Sequence, residues 1–415
     1  MKEIIIQPSE ERPITPSSLF LVGQLLGKSR FIKKCNTMKV DGKRSQSQIK
    51  NGDILLSYIG LLCQGKTAYE DIRKMSEDLD YYERAFGITS TIPSAETLRQ
   101  RMDDIGSSLR RNILDVNVEM FHTYNMEPTP ISEEFVPVDL DVTPLDNSKT
   151  YKEGVLYNYK GYFGYAPMMA YIGAEGFLVN TELREKSQRC QYNTPAFLSE
   201  TLNYGHQLTE KQLFVRMDSG NDTAENLGIL IEDGSRFIVK NNLRRGESKQ
   251  EWLDKVKECC KDICHPRDGK TIYVGSLWKA VNYTDVEGNS KTVTTRIVYK
   301  VIERTMDKNG QLLIMPDIEC NTFWTNLDWN DDDIIKGYHA HSECEQYHSE
   351  IKTDMDVERL PSGKFETNEL VLELTILAYN ILRMIGQSSL KSECAPRSKH
   401  SAKRCRIQTV MNKMR

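Results

Sequence analysis

The sequence predicts a mixed α/β protein: a helical N-terminal part precedes a core of strands and helices, and a β-rich insertion interrupts that core. Three observations carry the prediction. Apolar residues recur at three- and four-residue spacing up to about residue 130. From "EFVPVDLDVTPLD" onward, short apolar runs and helical stretches follow in the order strand, strand, strand, helix, strand, helix, strand. Between about 245 and 330, apolar and polar residues alternate around turns at "EGNS" and "DKNG".

Residues 1–130 read as a small helical domain, carried by "GDILLSYIGLLCQG", "TAYEDIRKMSEDLDYYERAFG" and "SAETLRQRMDDIGSSLRRNILDVNVEMFHTY", with Ser94 as a helix N-cap after Pro93. Phe135, Val136, Val138, Leu140 and Val142 mark the first strand, and two more follow in "GYAPMMAYIG" and "GFLVNTELRE". A helix in "TPAFLSETLNYG" leads to a buried strand, "KQLFVRMDSG", that stops at Asp218. Next come a helix capped by Asp222, with Glu225 three residues on, and the strand "RFIVKNN". That is the element order of an RNase H-like fold, a mixed sheet with helices on its faces. The organisation is then 131–245 for the first part of the core, 246–330 for the insertion, 331–386 for further core helices and 387–415 for a basic C-terminal tail.

Composition narrows the function classes. With 415 residues, 39% of them hydrophobic, the chain is long enough for one large or two to three ordinary domains. It opens "MKEIIIQPSEERP", without a charged-then-apolar signal segment, and "LVLELTILAYNIL" is interrupted by Glu373 and Asn380, so it reads as a buried helix. Ten scattered cysteines lack the pairing pattern of a secreted disulfide scaffold and point to a reducing cytoplasm. The one cluster, "CCKDICH" (259–265), reads as lying in an amphipathic helix after "EWLDKVKE" and lacks the second Cys/His pair a zinc site needs. Net charge is −4, but residues 28–50 and 387–415 each carry a net +7. Such segments suit phosphate contacts or simple solubilisation.

"YHAHSECEQYHSEIK" (338–352) concentrates the chemistry. At about 100° per residue, Tyr338, His341, Glu345, His348 and Lys352 fall on one side of a helix, beside a stripe of Ala340, Cys344, Tyr347 and Ile351. A solvated face, a zinc site from His341, Glu345 and His348, and a magnesium-and-phosphate site all fit this stretch alone. The rest of the chain discriminates. Asp141 lies in the first core strand and Asp218 at the end of the fourth. Those strands are neighbours in such a sheet, so Asp141, Asp218 and Glu345 can converge as hard oxygen ligands for Mg²⁺ or Mn²⁺. Asp139, on the same strand face as Asp141, is the alternative first ligand.

The spacing of Tyr338, His341, Glu345 and Lys352 is similar to the Tyr-Arg-Glu-Lys signature of DDE transposases of bacterial insertion sequences. "DLDVT" resembles that group's first-aspartate strand, "VRMDSG" its second, and "NTFWTNLDW" the strand leading to its glutamate helix; the N-terminal "AYEDIRKMSEDLDYYERAFG…PSAETLRQRM" resembles its helical domain. The resemblance implies cut-and-paste transposition with two Mg²⁺ or Mn²⁺ ions held by Asp141, Asp218 and Glu345. Tyr338, His341 and Lys352 would contact DNA, as would Arg244 and Arg245. His341 stands where the signature has Arg, and an imidazole lacks the bidentate grip of a guanidinium. The implied partners are double-stranded DNA, both terminal inverted repeats and target, and a second copy of the chain, in the nucleoid and not at a membrane. Of Trp278, Trp324 and Trp329, core packing is the expected role, with stacking on a flipped base the one the resemblance implies. Two other classes stay open: a DNA-binding derivative without chemistry, and a zinc hydrolase, which leaves Asp141 and Asp218 without a role.

Overall fold

The computed structural model describes residue 14 and residues 16–38, 47–157, 160–185, 193–243, 247–285, 287–391 and 403–415. Seven helices open the chain: α1 (Phe20–Gly27), α2 (Phe31–Thr37), α3 (Asn51–Leu62), α4 (Arg73–Glu77), α5 (Leu79–Phe86), α6 (Ala95–Ile105) and α7 (Arg110–Thr123). α3 is apolar on every side and is correspondingly buried on every side. Its one carboxylate, Asp53, is satisfied by the backbone and hydroxyl donors of Thr89 and Ser90. Ser94 caps α6, accepting from the Thr97 amide at 3.2 Å.

The core is a nine-stranded mixed sheet. Its strands are β1 (Phe135–Val142), β5 (Met168–Ile172), β6 (Phe177–Glu182), β7 (Gln212–Met217), β8 (Arg236–Lys240), β9 (Asp262–Arg267), β10 (Lys270–Thr284), β11 (Ser290–Met306) and β12 (Leu312–Thr325), in the order β6-β5-β1-β7-β8-β12-β11-β10-β9. β1 runs antiparallel to β5 and parallel to β7, and β7 runs parallel to β8. The crossovers are α8 (Thr194–Leu208) and α9 (Ala224–Asp233). Three very short strands, β2 (Leu145–Asp146), β3 (Leu156–Tyr157) and β4 (Phe163–Tyr165), form a small second sheet that the sequence pattern did not announce.

The insertion does not build a sheet of its own. α10 (Lys249–Cys259) leads to β9, and β10 to β12 extend the core sheet, joined to it where Phe323 to Thr325 of β12 pair with β8. The helix expected to run through "CCKDICH" ends at Cys259; residues 262–267 are instead an exposed edge strand, with Cys264 opposite Ile272 of β10. Pairing with the long hairpin overrides the local helical pattern, and Pro266 is tolerated because only an edge strand can lack a donor. Cys259, Cys260 and Cys264 are free thiols. Asp222 does not cap α9. Thr223 does, at 3.1 Å from the Asn226 amide, while the Asp222 carboxylate accepts from the Asn242 amide. Trp324 is packed as expected and Trp329 is wedged between Phe135 and Phe214, but Trp278 is 70% exposed, on the open face of the hairpin.

The remaining helices are α11 (Asp331–His339), α12 (Cys344–Ser349), α13 (Phe365–Lys391) and α14 (Ile407–Met414). α13 contains "LVLELTILAYNIL", every residue of which is buried, and it continues to Lys391, four residues past the expected start of the tail at 387. It packs on α3, α7 and β6, so the N-terminal helices and the sheet share one apolar core. The chain then returns: α14 buries Ile407, Val410, Met411 and Met414, and Arg406 forks onto Asp354 with two 2.8 Å bonds. No helix among the described residues is long and apolar enough to cross a membrane.

Candidate functional site

The site begins with register. The β1–β7 ladder pairs Asp139 with Arg216 and Leu140 with Met217, so its next rung sets Asp141 beside Asp218 at the end of β7. Adjacent strands lie about 4.8 Å apart, and residues opposite each other in a ladder share a face. The two carboxylates therefore stand on one side of the sheet, two rungs beyond Asp139 and Arg216 and on the same face as that pair. Arg216 forks onto Asp139 with two 2.6 Å bonds, and both side chains are buried. Asp139, the alternative first ligand, has both oxygens committed to this pair.

Asp141 is held by its neighbours. Its Oδ1 accepts from the Val142 amide at 2.7 Å and its Oδ2 lies 3.3 Å from His348 Nε2, while His348 Nδ1 lies 3.0 Å from the buried Tyr171 hydroxyl. Burial pushes the Asp141 carboxyl up, but His348 and His341 outweigh it and the group sits below the usual carboxylate range. Asp218 goes the other way. Burial and then the Asp141 charge raise it above that range, although Oδ1 accepts from the Gly220 amide and Asn221 Nδ2 at 3.0 Å each. The two neighbouring carboxylates are thus pushed in opposite directions.

The stretch 338–352 is not one regular helix. α11 ends at His339, a 3₁₀ turn spans Ala340–Glu343, α12 follows, and Glu350–Asp354 widens into a π turn. These changes of pitch split the expected polar face. Glu345 stays exposed, Tyr338 and Lys352 are half-buried, and His341 and His348 turn into the protein beside Cys344, Tyr347 and Ile351, whereas Ala340 faces out. Glu345 lines a cleft of about 530 Å³ together with Asp141, Thr143, Lys160, Tyr162, His348 and Lys352. Lys352 Nζ donates to the Pro144 carbonyl at 2.7 Å and lies 3.4 Å from Glu358. Tyr338 packs on Phe323 under Lys240, and its hydroxyl is raised by burial and by the Asp218 and Asp141 charges.

His341, expected against DNA, is 7% exposed. Its Nδ1 lies 2.9 Å from Asp139 Oδ1, and its Nε2 is buried without a partner. Burial opposes its charge, but Asp139 and Asp141 outweigh burial and raise its affinity for a proton. The zinc trio of His341, Glu345 and His348 is not assembled: the two imidazoles are engaged by different aspartates and Glu345 points outward. Among the described residues, the group that could close on a metal is Asp139, His341 and Cys344, with ligand atoms within 4.8 Å of one another. Asp139 already accepts from Arg216 on both oxygens and lies 2.9 Å from His341 Nδ1 through Oδ1, and burial, reinforced by the Asp139 and Asp141 charges, holds the Cys344 thiol protonated. Arg244 and Arg245 lie outside the described residues.

Arg216 and Tyr171 were not foreseen, and His348 was singled out for zinc and not as a partner of Asp141. One signal was available: Asp139 precedes Asp141 by two residues and Arg216 precedes Asp218 by two, so aligning the two acids also aligns a carboxylate with a guanidinium.

The family model for the transposase DDE domain, group 1, matches residues 18–410. The chain belongs to that family. No curated protein matches it significantly. Among solved structures, the chain resembles a piggyBac transposase synaptic complex with hairpin DNA at 11% identity and a TM-score of 0.47, over 95% of this chain and 79% of that one.

Proposed function

We propose that this transposase cuts DNA at the ends of a bacterial insertion sequence and joins the freed ends to a target, with Asp141, Asp218 and Glu345 as the metal ligands of an RNase H-like catalytic core. The observation that carries the reading is the β1–β7 register, which sets Asp141 beside Asp218 while Glu345 shares the Asp141 cleft. The donor set suits the ions: Asp141 and Glu345 offer carboxylate oxygen at one cleft, with the cations Lys160 and Lys352 around it. Two Mg²⁺ or Mn²⁺ ions, when bound, would supply charge for the attacking and leaving oxygens of an in-line displacement at phosphorus.

The protein's own part is positioning. His348 and the Val142 amide fix the two Asp141 oxygens, and the Gly220 amide and Asn221 fix Asp218. Lys352 and Tyr338 flank the acids and would hold the scissile strand by its phosphates. Arg244 and Arg245 and the two basic segments would add further phosphate contacts. Recognition of both inverted repeats by a dimer in the nucleoid completes the proposal.

The test is cleavage of a labelled duplex carrying the inverted repeats that flank the gene, in Mg²⁺ and in Mn²⁺. Asp141→Ala, Asp218→Ala and Glu345→Ala should each abolish cleavage and leave DNA binding largely intact. A variant that still cuts removes that residue from the site. Binding without cutting by the parent protein, in either metal, would identify a DNA-binding derivative instead.

A further inference from the structure

We propose that the DNA strand cut at Asp141 and Glu345 continues past Glu345 into a second cleft, where Arg404 of the C-terminal return holds one of its backbone phosphates. The inference rests on the DNA-cutting reading above and deepens it by giving the strand a direction.

Two clefts meet at α12. The one that holds Asp141 measures about 530 Å³ and includes Glu345 and Ser349 in its wall. A second, of about 700 Å³, shares Glu345 and Ser349 and adds Ser342, Gln346, Arg404 and Arg406. Glu345 is thus the ridge between them. A polynucleotide does not end at the bond that is cut, so a strand seated at Asp141 and Glu345 needs a path onward, and the second cleft opens directly from the first. Arg404 is held in place there from both sides. The carbonyl of Lys403 before it accepts from Gln387 Nε2 at 3.1 Å and that of Cys405 after it accepts from Arg383 Nη1 at 2.7 Å, both from α13. Arg406 is fixed in turn by its fork onto Asp354.

The charges of this cleft single out Arg404. Arg406 is spent on Asp354, Lys403 lies 3.5 Å from Glu343, and the Glu350 carboxylate is neutralised by the buried Arg383 and bonded by the Tyr379 hydroxyl at 3.0 Å. Arg404 Nη2 donates to Gln346 Oε1 at 2.8 Å, and its guanidinium lies 4.6 Å over the Tyr347 ring; neither partner carries a charge, and Nε has no partner among the described residues. A guanidinium laid flat on an aromatic ring keeps its edge for a phosphate. Ser342, Gln346 and Ser349 supply uncharged donors around it. That is a set suited to a sugar-phosphate backbone read without regard to base.

The test uses the full chain and duplexes carrying the inverted repeats that flank the gene, each with one phosphate near the cut replaced by an uncharged methylphosphonate. In the parent, a neutral linkage at one or two positions on one side of the cut should weaken binding about 10-fold, the scale of one hydrogen-bonded charge contact. Arg404→Gln should bind the unmodified duplex about 10-fold more weakly and be indifferent to those same linkages while staying sensitive to others. Arg404→Lys, which keeps the charge, should recover part of the sensitivity. A residue that only packs on Tyr347 would lower affinity for every duplex alike. In the parent, a photo-crosslinker attached through a phosphorothioate at the sensitive position should label residues 403–406, which decides the matter even if a variant does not fold. Linkage effects in Arg404→Gln that equal the parent's at every position, or labelling confined to other segments, overturn the assignment. A parent that neither binds nor cuts the unmodified duplex would instead sink the transposase reading itself.

Discussion

His348 Nε2 stands 3.3 Å from Asp141 Oδ2, and the Tyr171 hydroxyl stands 3.0 Å behind it on Nδ1. The carboxylate can only accept, so Nε2 donates to it. In the neutral ring Nδ1 then accepts from Tyr171, whose hydroxyl burial holds firmly protonated. This chain aims Asp141 from inside the protein. His348→Leu should raise the metal concentration that gives half-maximal cleavage about 10–100-fold. His348→Gln, which keeps a donor, should recover much of the loss. An unchanged metal dependence in His348→Leu would reduce the histidine to packing.

The Asp139–Arg216 pair is buried on both sides. Arg216→Met strands a carboxylate in the core, so it should destabilise the fold by about 3–5 kcal/mol, the usual cost of breaking a buried pair by removing one partner. Adding Asp139→Asn should restore part of the loss. Chemical denaturation of the two variants measures both; equal stability of Arg216→Met and the parent would mean the pair is solvated in practice.

Asp218 predicts a pH dependence. Its carboxyl is raised in the folded state, so the native protein holds that proton to higher pH than the unfolded chain does. By linkage its contribution to stability falls as pH rises from the unfolded value, about 3.9, through the raised folded value, and is flat above it. In metal-free buffer, Asp218→Asn should melt higher than the parent at pH 7, and the gap should narrow as pH falls toward 4. A gap that stays constant over that range would assign the gain to something other than titration.

Lys352 should act on DNA through charge. If it holds one phosphate, Lys352→Gln should reduce the slope of log affinity against log salt by about 0.9, the release of roughly one counterion. Its bonds to the Pro144 carbonyl and Glu358 are partly exposed, so the melting temperature should barely move. Binding measured at several salt concentrations separates this from a general loss of affinity.

Much of this was legible in the chain and some was not, for physical reasons. β1 and β7 were readable because each is a short, mostly apolar and buried run, interrupted by Asp139 and Asp141 in β1 and by Arg216 in β7, with Asp218 just past the end of β7. The Asp139–Arg216 pair was not, since a single strand carries no register and the partner lies 77 residues away. The direction of His341 was hidden by the change of pitch on either side of α12. A regular helix would have placed it beside Glu345, but the 3₁₀ turn carries it inward. Asp222 and Thr223 are both good caps, and only the path of the loop chooses between them. Strands β2 to β4 are two or three residues long, too short to show a period.

α13 touches both the opening helices and the sheet, and most of its buried residues are apolar. The protein therefore has no seam. Heat should melt it in a single cooperative transition, and the catalytic half made without residues 14–123 would leave the face of α13 that rests on α3 and α7 open to water, so it should aggregate and not fold alone. For such a chain, trimming away the opening helices is the wrong route to a smaller protein; the exposed tip of the β11–β12 hairpin, around Leu312, Ile314 and Met315, is where length can be removed.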